Sequence, residues 1–236
     1  MLPAYSAPGA RMALHRSLIV LSLLAAFSTA YAQKDVSKVN GSVDVAAGEH
    51  AGSASTVNGS VRLADGASAS SATTVNGSIK AGNSVTIGND ATTVNGGIHF
   101  GTKATVNGDI TTVNGDIYVP DGGNVKGDVT TVNGGIGLVR AQVGKDVTTV
   151  NGDVTVGIGS HVGGKLIVKK SKGGWNGLPL QISRIPTIII GPNAVVQGGL
   201  VFEHQVKLYV HTSAKTGPIE GATAIAFSTP TAPVNK

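Results

Sequence analysis

Apolar and polar residues alternate in short triplets that recur along the chain. The triplets read V-D-V, V-R-L, I-K-A, I-H-F, I-Y-V, I-G-L and V-T-V, with apolar outer members and a variable middle member. Because neighbouring side chains of a strand point to opposite faces, each triplet predicts a strand with one buried face. The triplets begin 18 or 19 residues apart, at Val43, Val61, Ile79, Ile98, Ile117, Ile136 and Val154.

A V-N-G motif precedes every triplet at a constant distance. Its in-register asparagines are Asn40, Asn58, Asn76, Asn95, Asn114, Asn133 and Asn151. Asn107 also lies in a V-N-G, but it aligns with Lys126 of the next repeat and is out of register. The repeat is too short for a helix pair, and valine, isoleucine, threonine and glycine are poor helix formers. Three short strands and three bends fit into one repeat.

These patterns predict an all-β protein, a single-stranded parallel β-helix (β-solenoid) with about three short strands per 18–19-residue coil and nine or ten coils. The solenoid is predicted over residues 33–222, with an excursion at 169–186 and a C-terminal tail at 223–236. Like residues of successive coils would then lie above one another at a strand spacing of ~4.8 Å. We therefore expect the seven in-register asparagines to form one hydrogen-bonded ladder.

Composition agrees with a narrow, stacked interior. The chain has 34 glycines among 236 residues, no cysteine and only 4% aromatic residues. Stacked valine, isoleucine, leucine and alanine fill such a core, whereas a ring at every level would clash with its copies. The absence of cysteine excludes disulfides, thiolate metal sites and thiol nucleophiles.

Residues 1–32 are predicted to be a secretory signal peptide, with Met12 as a candidate for the true start. His15 and Arg16 precede an apolar run, and Ala30-Tyr31-Ala32 fits a cleavage site. The run is shorter than the about 20 residues that a membrane span needs. The prediction is an exported protein, periplasmic or extracellular, that starts at Gln33 and has no transmembrane span.

Charge is unevenly distributed beyond the predicted signal peptide. Residues 33–160 carry eight basic and eleven acidic side chains, whereas residues 161–236 carry eight basic and two acidic ones. This asymmetry fits either a plain solvated surface or an attraction of the basic C-terminal part for an anionic envelope polymer. Nucleic acid is not expected as a partner of an exported protein with few aromatic residues.

One column of carboxylates is a weak candidate for a metal site. Its members, five residues before four of the in-register asparagines, are Asp90, Asp109, Asp128 and Asp146. Carboxylates stacked at one strand spacing repel one another unless they are hydrated, bonded to backbone N–H groups or bridged by a cation such as calcium. The G-G-x-G-x-D repeat of calcium-binding β-rolls is missing, so neither a metal nor a cofactor is predicted.

Three further patterns could carry chemistry. Trp175 in the excursion either covers an apolar flank or stacks on a ligand, and Glu203 beside His204 is the least implausible acid–base pair. Acyltransferases of the hexapeptide-repeat class also have 18-residue coils, but the histidines of this chain are scattered. The threonine pairs, such as Thr73-Thr74, offer one outward hydroxyl per coil, whereas an ice-binding array needs two.

The recurring V-N-G-[SDG]-[VI] motif over about residues 33–222 resembles the exported, bactofilin-like, polymer-forming, adhesin-like β-solenoid families. The resemblance implies a non-enzymatic scaffold that polymerises end to end through its coil ends. Bactofilins proper lack a signal peptide, which this chain is predicted to have. The sequence therefore predicts a structural or adhesin-like scaffold of the cell envelope; the alternative is a glycan-binding module or β-helix enzyme that uses a Trp175/His204 surface.

Overall fold

A computed structural model describes residues 34–170 and 184–233 of this protein. The predicted signal peptide and Trp175 lie outside the described residues. The described residues form only strands, bridges, turns and bends, and the strands stack in parallel as a β-solenoid of ten coils. The predicted fold class is confirmed.

The first three coils contain two strands each. A long strand is followed in each of them by a three-residue strand. The pairs are β1 (Lys34–Asn40) and β2 (Val43–Val45), β3 (His50–Asn58) and β4 (Val61–Leu63), and β5 (Ser68–Asn76) and β6 (Ile79–Ala81).

The other seven coils contain three strands each. Coils four to six comprise β7 (Thr86–Ile87), β8 (Ala91–Thr92), β9 (Ile98–His99), β10 (Thr105–Val106), β11 (Ile110–Thr111), β12 (Ile117–Val119), β13 (Asn124–Val125), β14 (Val129–Thr130) and β15 (Ile136–Leu138). Coils seven to ten comprise β16 (Gln142–Val143), β17 (Val147–Thr149), β18 (Val154–Val156), β19 (His161–Val162), β20 (Leu166–Val168), β21 (Thr187–Ile190), β22 (Val195–Val196), β23 (Leu200–Phe202), β24 (Lys207–His211), β25 (Lys215–Thr216), β26 (Ile219–Glu220) and β27 (Ala224–Phe227).

The strands form two parallel sheets that run the length of the solenoid. A ten-stranded sheet contains the last strand of every coil, and a seventeen-stranded sheet contains all the others. The register is constant: Tyr118 of β12 pairs with His99 of β9 on one side and with Gly137 of β15 on the other. Each sequence column of the repeat is therefore a column in space.

One residue decides whether the large sheet bends within a coil. Ala69 and Ala72 of the third coil are three positions apart, but their partners in the fourth coil, Ile87 and Ala91, are four positions apart. The additional residue lies in the bend formed by residues 88–90 and separates β7 from β8. Coils without it keep one continuous strand, which explains the two-strand coils that the sequence did not predict.

The interior consists of stacked aliphatic side chains. The column that opens each triplet contains residues that are at most 2% exposed: Val43, Val61, Ile79, Ile98, Ile117, Ile136, Val154, Ile188 and Leu208. Burying one such side chain contributes roughly 1.5–3 kcal/mol. The repeated apolar columns therefore hold the coils together.

The structure places the excursion between β20 and β21. The strand β20 ends at Val168 and β21 begins at Thr187, and β21 pairs with β18 of the preceding coil. The N–H of Thr187 bonds to the carboxylate of Asp153, 34 positions earlier, whereas equivalent bonds elsewhere span 18 or 19 positions. Both β20 and β21 therefore keep the register of the solenoid, although the chain between them is longer than in the other coils.

The solenoid extends beyond the predicted boundary at Ala222. Residues Ala224–Phe227 form β27, which pairs in parallel with β24, so the tail predicted for 223–236 begins later than expected. Leu208 pairs with Ala224, and this step of sixteen positions departs from the 18–19-residue repeat. The shorter step hid the last strand from an alignment based on the repeat length.

Candidate functional site: stacked columns and an open coil end

The seven in-register asparagines form a single file of hydrogen bonds on the solenoid surface. From Asn58 onward, each side-chain Nδ2 donates to Oδ1 of the asparagine in the preceding coil, at 2.9–3.0 Å. The file runs through Asn40, Asn58, Asn76, Asn95, Asn114, Asn133 and Asn151. An amide has both a donor and an acceptor, so it bonds to its copies on both sides.

The glycine and threonine beside the ladder are matched to each other. The hydroxyl of Thr112 donates to the carbonyl oxygen of Gly96 in the preceding coil at 2.9 Å, and Thr56, Thr74, Thr93 and Thr131 make the equivalent bond. A Cβ on Gly115 would lie 2.1 Å from the oxygen of Gly96. The T-V-N-G pattern is therefore a device that joins successive coils at one corner.

The ladder ends where the excursion begins. Oδ1 of Asn151 and Oγ1 of Thr149 are buried and have no hydrogen-bond partner among residues 34–170 and 184–233. The preceding asparagines and inner threonines all bond to the neighbouring coil. Asn151 is thus the last rung, and the corner device stops one coil before β20 and β21 are separated.

The aspartate column is bonded to the backbone of the following coil. Oδ1 of Asp90, Asp109, Asp128 and Asp146 accepts the N–H of Asp109, Asp128, Asp146 and Lys165, respectively, at 2.8–2.9 Å. This geometry offsets part of the repulsion between stacked carboxylates. Within residues 34–170 and 184–233, no group of three or more histidine, aspartate or glutamate side chains could hold a metal ion.

The two threonines of a T-T pair have different surroundings, except in the last pair, where Thr148 and Thr149 are both buried. Thr74 is 1% exposed and faces the core corner, whereas Thr73 is exposed and pairs in register with Thr92. The valine two positions after Thr73, Val75, also faces solvent, with 38% of its surface exposed. The outward face therefore presents one hydroxyl and one valine per coil.

The candidate pair in the ninth coil is occupied by backbone contacts. The carboxylate of Glu203 accepts the N–H of Lys170 at 2.9 Å. The His204 ring nitrogens lie 3.1 Å from the carbonyl oxygens of Gln205 and Val150. A neutral imidazole has one N–H, so it donates to one of the two at a time. These contacts give His204 a role in joining coils, and they leave it poorly placed to accept a substrate proton.

Comparison with family models, curated proteins and solved structures finds no match for this chain. The described residues also include no helix with the length and apolarity that crossing a membrane requires. The functional conclusions therefore depend on the geometry of the described residues.

One surface ion pair is well formed in the sixth coil. The guanidinium of Arg140 lies 2.9 Å from the carboxylate of Asp121. Its hydrogen bond, with the charges of Arg140 and Lys103, holds the pKa of Asp121 below its ordinary value, although partial desolvation acts in the opposite direction. The pKa of Arg140 is raised by the same hydrogen bond.

The C-terminal coil has an open core. Ile219 occupies the inward column of Leu200 and is 37% exposed, whereas Leu200 is fully buried. Ala224 lies in the column of Leu208 and is exposed, although Leu208 is 1% exposed. In the described part of the chain, β26 and β27 each pair with one neighbour only. The short apolar run A-I-A-F was the sequence signal for this end, which the repeat-based alignment missed.

Proposed function

We propose that this protein is an exported, non-enzymatic, adhesin-like scaffold of the cell envelope whose copies associate end to end. The observation that supports this proposal is the open C-terminal coil. Ile219 and Ala224 occupy core columns but contact solvent there. A strand edge with unpaired backbone groups and exposed apolar residues is a template for another strand.

The columns continue in chemically matched form from one end of the solenoid to the other. Ile219 belongs to the column that starts at Val36, and Ala224 belongs to the column that starts at Val43. If the first coil of a second copy lay on the last coil of the first, valine would stack on isoleucine and on alanine. This stacking would close the core and extend both sheets in register.

The use of polar groups supports a scaffold rather than an enzyme. The asparagine, threonine and aspartate columns bond to neighbouring coils. These hydrogen bonds stiffen the solenoid along its axis.

The basic C-terminal coils support attachment of this scaffold to an anionic envelope polymer. Exposed cations there include Lys165, Lys169, Lys170, Lys207 and Lys215. A cluster of like charges attracts a polymer of opposite charge, and salt weakens the attraction.

Analytical ultracentrifugation of the chain from Gln33 to Lys236 tests the association. We expect multimers that grow with concentration, and we expect Ile219→Asp to shift them to monomer because it places a charge in the end-to-end contact. Ile158→Asp is the matched control, since Ile158 is 44% exposed in a turn remote from the described solenoid ends. A wild-type protein that stays monomeric across micromolar concentrations would refute the proposal, as would equal effects of the two variants.

A further inference from the structure

A surface groove crosses the ten-stranded sheet in coils four to seven. It has a volume of about 560 Å³, which lies within the range of ligand-binding clefts. We call it the Tyr118 groove. Six of the residues that line it carry the argument: His99, Asp116, Tyr118, Gly137, Asp153 and Thr155.

A missing side chain next to an aromatic ring creates the groove. His99, Tyr118, Gly137 and Thr155 follow one another in the outward column of the sheet. Gly137 has no side chain in that column, and the ring of Tyr118 leans over it, since a Cβ there would lie 3.0 Å from Cδ2 of Tyr118. Tyr118 is 42% exposed, so its ring remains accessible to solvent in this position.

Carboxylates line one side of the groove at fixed positions. Oδ1 of Asp116 accepts the N–H of Gly135 at 2.6 Å, and Oδ1 of Asp153 accepts the N–H of Thr187 at 2.7 Å. The guanidinium of Arg184 also bonds to Oδ2 of Asp153. Because a carboxylate has about four acceptor sites, Asp116 can accept hydroxyl groups in addition to this backbone bond.

The chemistry of this lining fits an uncharged sugar chain. The weakly positive C–H groups of a pyranose face are attracted to the negative face of a tyrosine ring, and its hydroxyls can donate to carboxylates. Carboxylates disfavour phosphate or sulfate ligands. The apolar residues beneath the groove, Ile117 and Ile136, are at most 2% exposed, so an apolar ligand would find little surface.

We propose that the Tyr118 groove binds a short stretch of an uncharged pyranose polysaccharide, with one sugar ring stacked on the exposed face of Tyr118, whose ring lies over Gly137. From His99 to Thr155 the groove spans three strand spacings, ~14 Å, which accommodates about three sugar rings. This site is independent of the solenoid ends and of His204. It gives the scaffold a lateral surface for a carbohydrate.

The test is a titration of the purified protein with cellotetraose, maltotetraose, mannotetraose and the N-acetylglucosamine tetramer, followed by calorimetry and by amide NMR shifts. We expect at least one to bind with a Kd below about 1 mM and to shift the amides of β12 and β15. Tyr118→Ala removes the ring, and Gly137→Val displaces the ring, because its Cβ would lie 3.0 Å from Cδ2 of Tyr118. Each should weaken binding at least about tenfold.

Lys80→Ala is the control, because Lys80 precedes His99 in the same outward column but does not line the groove. The affinity of Lys80→Ala for the tetrasaccharide should stay within about twofold of the wild-type affinity, and all three variants should unfold cooperatively. Three outcomes would overturn the proposal: no shift at about 10 mM of any tetrasaccharide, binding that survives both groove variants, or binding only of the fully deacetylated glucosamine tetramer, which would indicate recognition of an amine. None of them bears on end-to-end association.

Discussion

The hydroxyl of Thr112 donates a hydrogen bond of 2.9 Å to the carbonyl oxygen of Gly96 in the preceding coil. Thr149 occupies the same column, but its hydroxyl is buried and has no partner in the part of the chain that the structure describes. Thr112→Val should therefore destabilise the protein by about 1–2 kcal/mol, because it leaves the partly buried carbonyl oxygen of Gly96 without that donor. Thr149→Val should be neutral or stabilising, because it removes an unsatisfied polar group. Chemical denaturation measures both, and equal losses of stability in the two variants would contradict this assignment.

Close backbone approach, rather than backbone flexibility, explains the glycine of the V-N-G motif. A Cβ on Gly115 would lie 2.1 Å from the oxygen of Gly96, whereas a Cβ on Gly88 would have its nearest neighbour at 3.4 Å. Gly115→Ala should cost about 3 kcal/mol or more by forcing the coils apart. Gly88→Ala should have little effect, and thermal unfolding of the two variants checks the difference. Similar melting temperatures for both would show that this corner yields more easily than its geometry suggests.

The pair of Asp121 and Arg140 predicts a specific titration. The pKa of Asp121 is held below its ordinary value of 3.8, chiefly by the hydrogen bond from Arg140. The stability that this pair contributes is fully present above the pKa of Asp121 in the unfolded chain, and it is lost as the pH falls through the lower pKa of Asp121 in the folded protein. The contribution is small because both groups are solvent-exposed. Carboxyl NMR should give a midpoint below 3.8 that rises in Arg140→Gly, a variant suited to the positive φ of 45° at that position. An unchanged midpoint would show that the pair does not form in solution.

End-to-end stacking in register predicts a specific cross-link between molecules. Ser37 and Glu220 are the first and last residues of one outward column in the described chain. Since the chain has no cysteine, a double variant Ser37→Cys, Glu220→Cys should form disulfide-linked multimers under oxidising conditions. A variant Ser37→Cys, Thr111→Cys is the control, because Thr111 lies in the middle of the same column. Non-reducing gel electrophoresis distinguishes a ladder from monomer, and monomer for both variants would argue against the stacking.

The sequence was sufficient to predict the column structure because each column repeats the same demand. In the coils of Asn58 to Asn133 the asparagine bonds to the asparagine of the next coil, and the threonine bonds to the glycine of the preceding coil. The period alone therefore places these residues together. The two-strand coils at the beginning lack the single additional residue that the fourth coil has between Ile87 and Ala91, and the period of 18 or 19 does not reveal this difference.

The remaining features depend on differences between neighbouring coils. The ring of Tyr118 can lie over the next coil because its neighbour in the column is Gly137, and no single repeat contains both residues. The last strand, β27, was missed because its step from Leu208 is sixteen positions. To predict features of this kind, one must know which residues of two specific coils pair, whereas the repeat length gives only the average spacing between coils.

Disulfide formation within one molecule tests the stacked register most directly. Thr92 and Thr111 face outward in adjacent coils and pair in register, at a strand spacing of ~4.8 Å that a disulfide can bridge. Thr92→Cys, Thr111→Cys should therefore oxidise rapidly to an intramolecular disulfide, whereas Thr92→Cys, Thr130→Cys, two coils apart at ~9.6 Å, should keep free thiols in the monomer. Mass spectrometry of the monomer gives the result. Free thiols in the first variant, or an equal yield of disulfide in the second, would contradict the stacked solenoid.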